Sequence, residues 1–131
     1  MEPDGLITPA VLSVRNQTRD TVLCSRAIVA HGWRGRTRGL LGRGQLSHDE
    51  GMLFQAPPFL PLMWMHTFFM AFPIDIVFVG PGQVVLKIQA SLKPWRWSAI
   101  VVGAHRAIEL SAGAAIRAKT AVGDVLSLRK L

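Results

Sequence analysis

The sequence predicts a mainly β protein of the α+β class, in which short strands form one small curled sheet or a β-barrel. Apolar residues alternate at period two in several short runs, and a single run near residues 32–42 has helical spacing. Turns are frequent, since the chain contains 12 Gly and 8 Pro among 131 residues. This length corresponds to one domain, residues 1–131, with one hydrophobic core.

The first third of the chain predicts a hairpin followed by a helix. Alternation over residues 11–16, a turn over 16–20 and a β-rich run over 21–29 indicate two paired strands. Beyond them, Trp33, Thr37, Leu40 and Leu41 share one side of a helix that Gly42 can end. Residues 47–51 are interpreted as a polar loop, and prolines between 57 and 61 indicate an irregular connection.

The remaining two thirds predict strands only. Residues 73–79 and 84–89 flank Gly80-Pro81-Gly82 and form the clearest hairpin in the sequence. Shorter strands are expected at 101–102, 107–110 and 125–128, each preceded by glycine or a polar turn. Gly123-Asp124 is interpreted as a turn only.

Several sequence strings, read together, resemble one uncharacterised family, domain of unknown function 192. They are Arg38-Gly39-Leu40-Leu41-Gly42-Arg43, the string from His66-Thr67 to Pro73-Ile74-Asp75, Pro94-Trp95-Arg96, residues 107–113 and Gly123-Asp124. The resemblance runs from about residue 11 to 128. It implies a shared fold but no activity, cofactor or catalytic residue, because the family has none established.

The chain departs from that family at two positions. Similar members often carry a cysteine shortly before the His-Thr pair and an arginine directly after the Met. Here residues 60–65 contain no cysteine, and Ala71 follows Met70. The resemblance therefore implies no function that depends on that thiol or that guanidinium.

The charge of the chain predicts weak attraction to polyanions. The net charge is +7 and the pI is about 11.1. Residues 1–46 carry seven Arg against three acids, residues 47–90 one Lys against three, and residues 91–131 seven bases against two. If the basic ends share a face, that face should attract phosphate in a salt-dependent way. No specific nucleic-acid binding is expected, because no recognition motif accompanies the charge.

The sequence favours a cytoplasmic protein with no membrane span and no membrane partner. Its apolar stretch, residues 51–79, is interrupted by four prolines and by Asp75, which a spanning helix would not tolerate. The N-terminus lacks the pattern of a secretory signal. Cys24 is the only cysteine, so no internal disulfide forms and a reducing compartment is expected.

Three polar residues in the central apolar string are the first candidates for a site. His66, Thr67 and Asp75 need hydrogen-bond partners wherever they are buried. We expect them to share one network with an arginine, Arg38 or Arg96, at the edge of a cavity. The alternatives are structural: a core histidine bonded to a backbone carbonyl, and an aspartate that bonds local backbone.

Further candidates lie elsewhere in the sequence. Trp95 and Arg96, with Trp97, would stack on a planar ligand beside a cation, or form an aromatic lid over the end of the barrel. Glu109 is a second carboxylate within an apolar strand. The arginines between 34 and 43 would bind phosphate, or would only solvate a helix face.

The motifs of common enzymes and cofactor sites do not occur. We find no G-x-G-x-x-G, P-loop or H-E-x-x-H string, and the four His lack ligand spacing, so no metal and no cofactor is expected. The leading hypothesis is a non-enzymatic binding module for a small anionic ligand or a protein partner. The alternative is a hydrolase-type enzyme using His66 with Asp75 or Glu109, which requires those groups to converge in an open cleft.

Overall fold

A computed structural model describes residues 10–30 and 46–131 of the chain, and it confirms the mainly β class. The strands are β1 (Val11–Asn16), β2 (Thr21–Val29), β3 (Glu50–Gln55), β4 (Leu62–Met63), β5 (Ile74–Val79), β6 (Val85–Leu92), β7 (Val101–Val102), β8 (Arg106–Ser111) and β9 (Leu126–Lys130). The α-helix in this part of the chain is α1 (Ala114–Arg117), and a 3-10 turn spans Pro81–Gln83.

Seven strands form one curled, half-barrel sheet in the order β6-β5-β8-β3-β2-β1-β9. Both predicted hairpins are present, since β1 pairs with β2 and β5 pairs with β6, each antiparallel. The β2–β3 pair is parallel, and β8 lies between β3 and β5. The remaining strands, β4 and β7, pair with each other as a separate antiparallel ribbon.

One face of the sheet packs against α1, and we call it the helix side. Its buried cluster consists mostly of aliphatic and small residues, because α1 approaches the sheet through alanines. The cluster contains Val14, Leu23, Cys24, Ala27, Leu53, Val77, Val79, Val85, Ile108, Leu110, Ala114, Ala115, Ala118 and Leu126.

The other face of the sheet packs against the β4–β7 ribbon, and we call it the ribbon side. Because side chains alternate along a strand, the strand residues that do not face the helix side face this side. The cluster that they form with the ribbon is rich in Met and Phe. It contains Leu46, Met52, Phe54, Met63, Met65, Met70, Phe72, Ile74, Ile76, Phe78, Leu92, Val101, Ala104 and Ala107. The helix side of the sheet is therefore covered by α1, and the ribbon side is covered by the β4–β7 ribbon.

The structure corrects one sequence prediction and does not describe the residues of another. Residues 47–51 are not entirely loop, because β3 begins at Glu50 and Gly51 is buried inside it. The helix predicted near residues 32–42 lies outside the residues that the structure describes. Within 10–30 and 46–131, no helix is long and apolar enough to cross a membrane.

Candidate functional site

Asp75 lies on the helix side, where its carboxylate binds backbone. Oδ1 accepts a hydrogen bond from Ser91 N at 2.8 Å, and Oδ2 accepts from Gly113 N at 3.1 Å and Ala115 N at 3.0 Å. Ser91 presents its amide because the pairing of β5 with β6 shifts register beside Asp75. Gly113 has φ 93, a conformation that glycine adopts without a steric penalty. Asp75 therefore ties β6 and the start of α1 to β5.

This geometry corrects the network that the sequence predicted. Within the described part of the chain, Asp75 bonds backbone amides rather than His66 or an arginine. His66 belongs to the ribbon side, next to the core residue Met65. The predicted network of three residues is therefore wrong. The alternative of local backbone bonds is wrong as well, because the amides that bind Asp75 lie 16, 38 and 40 residues away in the sequence. Arg38, the other predicted partner, lies outside the described residues.

Thr67 is fully buried and fastens two loops together. Its hydroxyl donates to Lys93 O at 2.6 Å and accepts from Arg96 N at 2.9 Å. Its backbone adds two bonds, Thr67 N to Arg96 O and Trp95 N to Thr67 O, both 2.9 Å. Residues 93–96 are thereby held against residues 66–70, which positions the side chains of both loops.

His66 is half-buried among aromatic rings. Its Nδ1 accepts a hydrogen bond from Phe68 N at 3.2 Å. The ring stacks on Phe68 at 4.7 Å and meets the edge of Trp97 at 5.5 Å. His66 thus stiffens an aromatic cluster.

The loops joined by Thr67 carry a continuous line of rings, which we call the aromatic row. Consecutive ring centroids in the row lie 4.3, 4.9, 6.1 and 4.7 Å apart, in the order Trp64, Trp97, Phe68, Trp95, Phe69. Trp64 and Trp97 are about half exposed, whereas Trp95 and Phe69 are 55% and 67% exposed. Large rings of this kind are ordinarily much more buried. The row therefore presents a large exposed aromatic surface.

Two residues of the row have strained backbones. Phe69 has φ 65 and Trp95 has φ 64, a left-handed conformation that is rare for bulky side chains. Such strain persists only where neighbouring contacts enforce it, and it concentrates at functional sites. Here the hydrogen bond from Trp95 N to Thr67 O holds the loop in place.

The charge beside the row is positive. Residues 56–73 and 93–105 contain Lys93 and Arg96 but no Asp or Glu. Both side chains are exposed, and among the described residues the guanidinium of Arg96 makes one long hydrogen bond, to Trp95 O at 3.4 Å. A guanidinium held this loosely is available for an anion.

Glu109 is fully buried in β8. It pairs across the sheet with Met52 of β3 and Ile76 of β5, which places it on the ribbon side. Cys24 is buried on the helix side, where desolvation raises the pKa of its thiol to about 12. A thiol with that pKa is a hydrophobic core group and no nucleophile at neutral pH.

Sequence reasoning missed Asp124, which was interpreted as part of a turn. Its Oδ2 accepts from Asn16 Nδ2 at 2.9 Å, Arg19 Nε at 3.0 Å and Ala121 N at 2.9 Å. The hydrogen bonds from Arg19 and then Asn16 lower the pKa of Asp124 to about 2. No local pattern reveals this role, because two of the three partners lie more than 100 residues away.

Two concave surfaces formed by the described residues are lined by side chains outside the aromatic row. A cleft of about 240 Å³ is lined by Gln55, Ala56, Pro57, Pro58, Pro61, His105 and Arg106. A more polar hollow of about 510 Å³ is lined by Arg15, Gln17, Asp20, Ser127 and Arg129. The lining of these two spaces contains no predicted site residue.

The family model described as Uncharacterized ACR, COG1430 (DUF192) matches residues 14–128. The chain belongs to this family. No curated protein matches it significantly. Within the DUF192 fold, the His66-Thr67 string and the Pro94-Trp95-Arg96 string are brought together by the hydrogen bonds of Thr67.

Two crystal structures share the fold of this DUF192 chain. A protein of unknown function from Novosphingobium aromaticivorans DSM 12444 is 22% identical with a TM-score of 0.73, over 97% of this chain and 90% of its own. A putative transcription regulator from Sinorhizobium meliloti 1021 is 21% identical with a TM-score of 0.73, over 95% of this chain and 98% of its own. At this level of identity the likeness concerns the fold alone.

Proposed function

We propose that this protein is a non-enzymatic binding module whose aromatic row and adjacent cations hold a small anionic ligand with a planar ring. The observation that carries the proposal is the row itself. Its most exposed rings, Trp95 and Phe69, adjoin Arg96 and Lys93 on loops without an acidic residue.

The chemistry of the row suits a ligand with two parts. A planar ring stacks on an exposed indole or phenyl face, which contributes about 1–3 kcal/mol per stacked base in proteins that bind single-stranded nucleic acids. An anionic group on the same ligand takes a bidentate hydrogen bond from the guanidinium of Arg96. Hydrogen bonds from Trp95 N and Met70 N to Thr67 O hold the backbone that carries the two rings before the ligand arrives, which limits the entropy lost on binding.

The geometry gives less support to the hydrolase alternative. An acid–base pair must reach a common substrate in an open site. Asp75 is buried on the helix side, and all three of its hydrogen bonds go to backbone amides. Glu109 is on the same side of the sheet as His66, but its carboxylate is closed off from solvent. A binding module needs neither carboxylate.

Titration calorimetry with four probes tests the proposal. Adenosine monophosphate supplies ring and charge, adenosine supplies the ring alone, and inorganic phosphate supplies the charge alone. We expect the monophosphate to bind most tightly, and naphthoate, a planar carboxylate, to compete with it. If neither the monophosphate nor naphthoate binds better than inorganic phosphate, the proposal is wrong.

Matched variants place the binding on the row. Trp95→Ala and Arg96→Gln should each weaken monophosphate binding about tenfold or more, in line with the loss of one stacking or charge-assisted contact. Phe59→Ala removes an exposed ring outside the row, and Lys130→Gln removes an exposed cation on β9, so both should bind as the native protein does. Equal losses in the row variants and the control variants would contradict the assignment.

A further inference from the structure

The β4–β7 ribbon exposes an apolar outer face. Leu62 pairs with Val102, and Met63 pairs with Val101. Because side chains alternate along a strand, Met63 and Val101 point into the core while Leu62 and Val102 point outward. Val102 is 76% exposed. The ribbon is therefore apolar on both faces, and only its inner face is covered by the described part of the chain.

Neighbouring residues extend this outer face. Trp64 and Ile100 continue the outward positions along each strand and are about half exposed. The turn at residues 57–60, closed by Leu60 N donating to Pro57 O at 3.0 Å, adds Leu60 and Phe59, which is 86% exposed. We call the set the ribbon face: Phe59, Leu60, Leu62, Trp64, Ile100 and Val102. A contiguous surface of large apolar side chains usually marks an interaction site.

The positive charge near the ribbon face indicates which kind of partner can bind there. Residues 56–65 and 98–104 contain no charged residue, whereas Lys93 and Arg96 follow on the adjoining loop and the chain as a whole carries +7. A second copy of so basic a protein would be repelled, but a negatively charged surface would be attracted. Apolar and aromatic side chains flanked by cations are the pattern of proteins that rest on anionic membranes.

Trp64 suits a position at the lipid headgroups. Its indole N–H already donates to Ser98 O at 3.0 Å. The ring can therefore enter an apolar layer without leaving a donor unsatisfied. A contact of this kind requires no spanning helix.

We propose that the ribbon face docks on an anionic lipid surface, with its apolar side chains at the level of the headgroups and with Lys93 and Arg96 on the lipid phosphates. This interaction goes beyond ligand binding by the aromatic row and departs from the expectation of no membrane partner. It shares Trp64, Lys93 and Arg96 with the proposed ligand site, so the two are separated by substitutions at Phe59 and Val102, which lie outside the row. The proposal gives the outer face of the ribbon a function, whereas packing against the sheet uses only the inner face.

Vesicle sedimentation tests this proposal with purified full-length protein. We expect binding to phosphatidylcholine vesicles that contain about 30% phosphatidylglycerol, weakening at high salt, and little binding to pure phosphatidylcholine. The double variant Phe59→Ser/Val102→Ser should lower the partition coefficient about tenfold, because two inserted side chains are lost. Its circular dichroism should match that of the native protein, since both side chains are already in water.

Ile116→Ser provides the matched control, because Ile116 is exposed to the same extent as Val102 but lies on α1. This variant should bind vesicles like the native protein. Absence of sedimentation with anionic vesicles, or equal sedimentation of the native protein and the double variant, would overturn the proposal. So would a native dimer that the double substitution dissociates without any vesicle binding. Monophosphate binding should survive the double substitution, which separates this test from that of the aromatic row.

Discussion

The two sides of the sheet both satisfy their buried polar groups, but they differ in how much aromatic and apolar surface they expose. On the helix side, the buried carboxylate of Asp75 is satisfied by three backbone amides, and the cluster around it is closed by α1. On the ribbon side, Thr67 is satisfied equally well, yet the loops that it joins expose the aromatic row and the ribbon face. Folding favours burial of such apolar surface. We therefore assign the helix side to the fold and, in line with the proposed function, the exposed surface of the ribbon side to recognition.

The largest effect on stability is expected at Asp75. Asp75→Ala should lower the free energy of unfolding by about 3–5 kcal/mol, because three amides lose a charged acceptor at about 1–3 kcal/mol each and water restores part of the loss. Urea denaturation followed by tryptophan fluorescence measures it. Asp75→Asn, which keeps one acceptor oxygen, should fall between Asp75→Ala and the native protein. Asp20→Ala, at an exposed salt bridge with Arg15, should change stability by less than about 1 kcal/mol.

The next effect concerns Asp124 and acid. Its pKa in the folded protein is about 2, below its ordinary value of 3.8. A lowered folded pKa adds stability above the unfolded pKa, and this stability is lost as the pH falls from about 4 to about 2. Thermal melts across that range should show Asp124→Asn with a smaller decline than the native protein. Parallel declines would mean that other carboxylates account for the acid sensitivity.

A smaller loss is expected at Thr67. Thr67→Val removes the bonds to Lys93 O and Arg96 N and should destabilise the protein by about 1–3 kcal/mol. It should also weaken monophosphate binding, because the loop that presents Trp95 and Arg96 loses its anchor. Thr67→Ser keeps the hydroxyl and should retain most of both properties. A Val variant with lowered stability but unchanged binding would show that the row does not depend on this anchor.

The smallest effect on stability is expected in the row. Trp95→Ala should change the free energy of unfolding by less than about 1 kcal/mol, since more than half of this side chain is already in water. Chemical denaturation measures this difference directly. If Trp95→Ala destabilises the protein as strongly as Asp75→Ala, the ribbon side also serves the fold and the contrast between the two sides fails.

Local pattern accounts for much of the fold. Both hairpins and the strands β7, β8 and β9 were predicted from alternation and turn residues, and the structure confirms them. Strand β3 was missed because it starts in a polar stretch and is buried on both faces, so it shows no alternation. Helix α1 was missed because it has four residues and is held by a carboxylate 40 residues away.

The candidate site depends on pairings that the sequence does not contain. Trp95 and Arg96 were identified from their own string, but their apposition to Phe68 and Phe69 arises from Thr67, whose hydroxyl reaches 26 and 29 residues along the chain. Grouping Asp75 with His66 was wrong because adjacency in one apolar string does not determine the face of the sheet. That face follows from strand parity and from the partners β6 and α1.

Nuclear magnetic resonance titration of the native protein with adenosine monophosphate tests the central claim, that the ribbon side is the recognition surface. With ¹⁵N labelling, the indole signals of Trp95 and Trp97 and the amide of Arg96 should shift progressively. The amides of Gly113 and Ala115, bonded to Asp75 on the helix side, should stay in place. Shifts confined to the helix side, or no shift among the ring-bearing residues, would contradict the account.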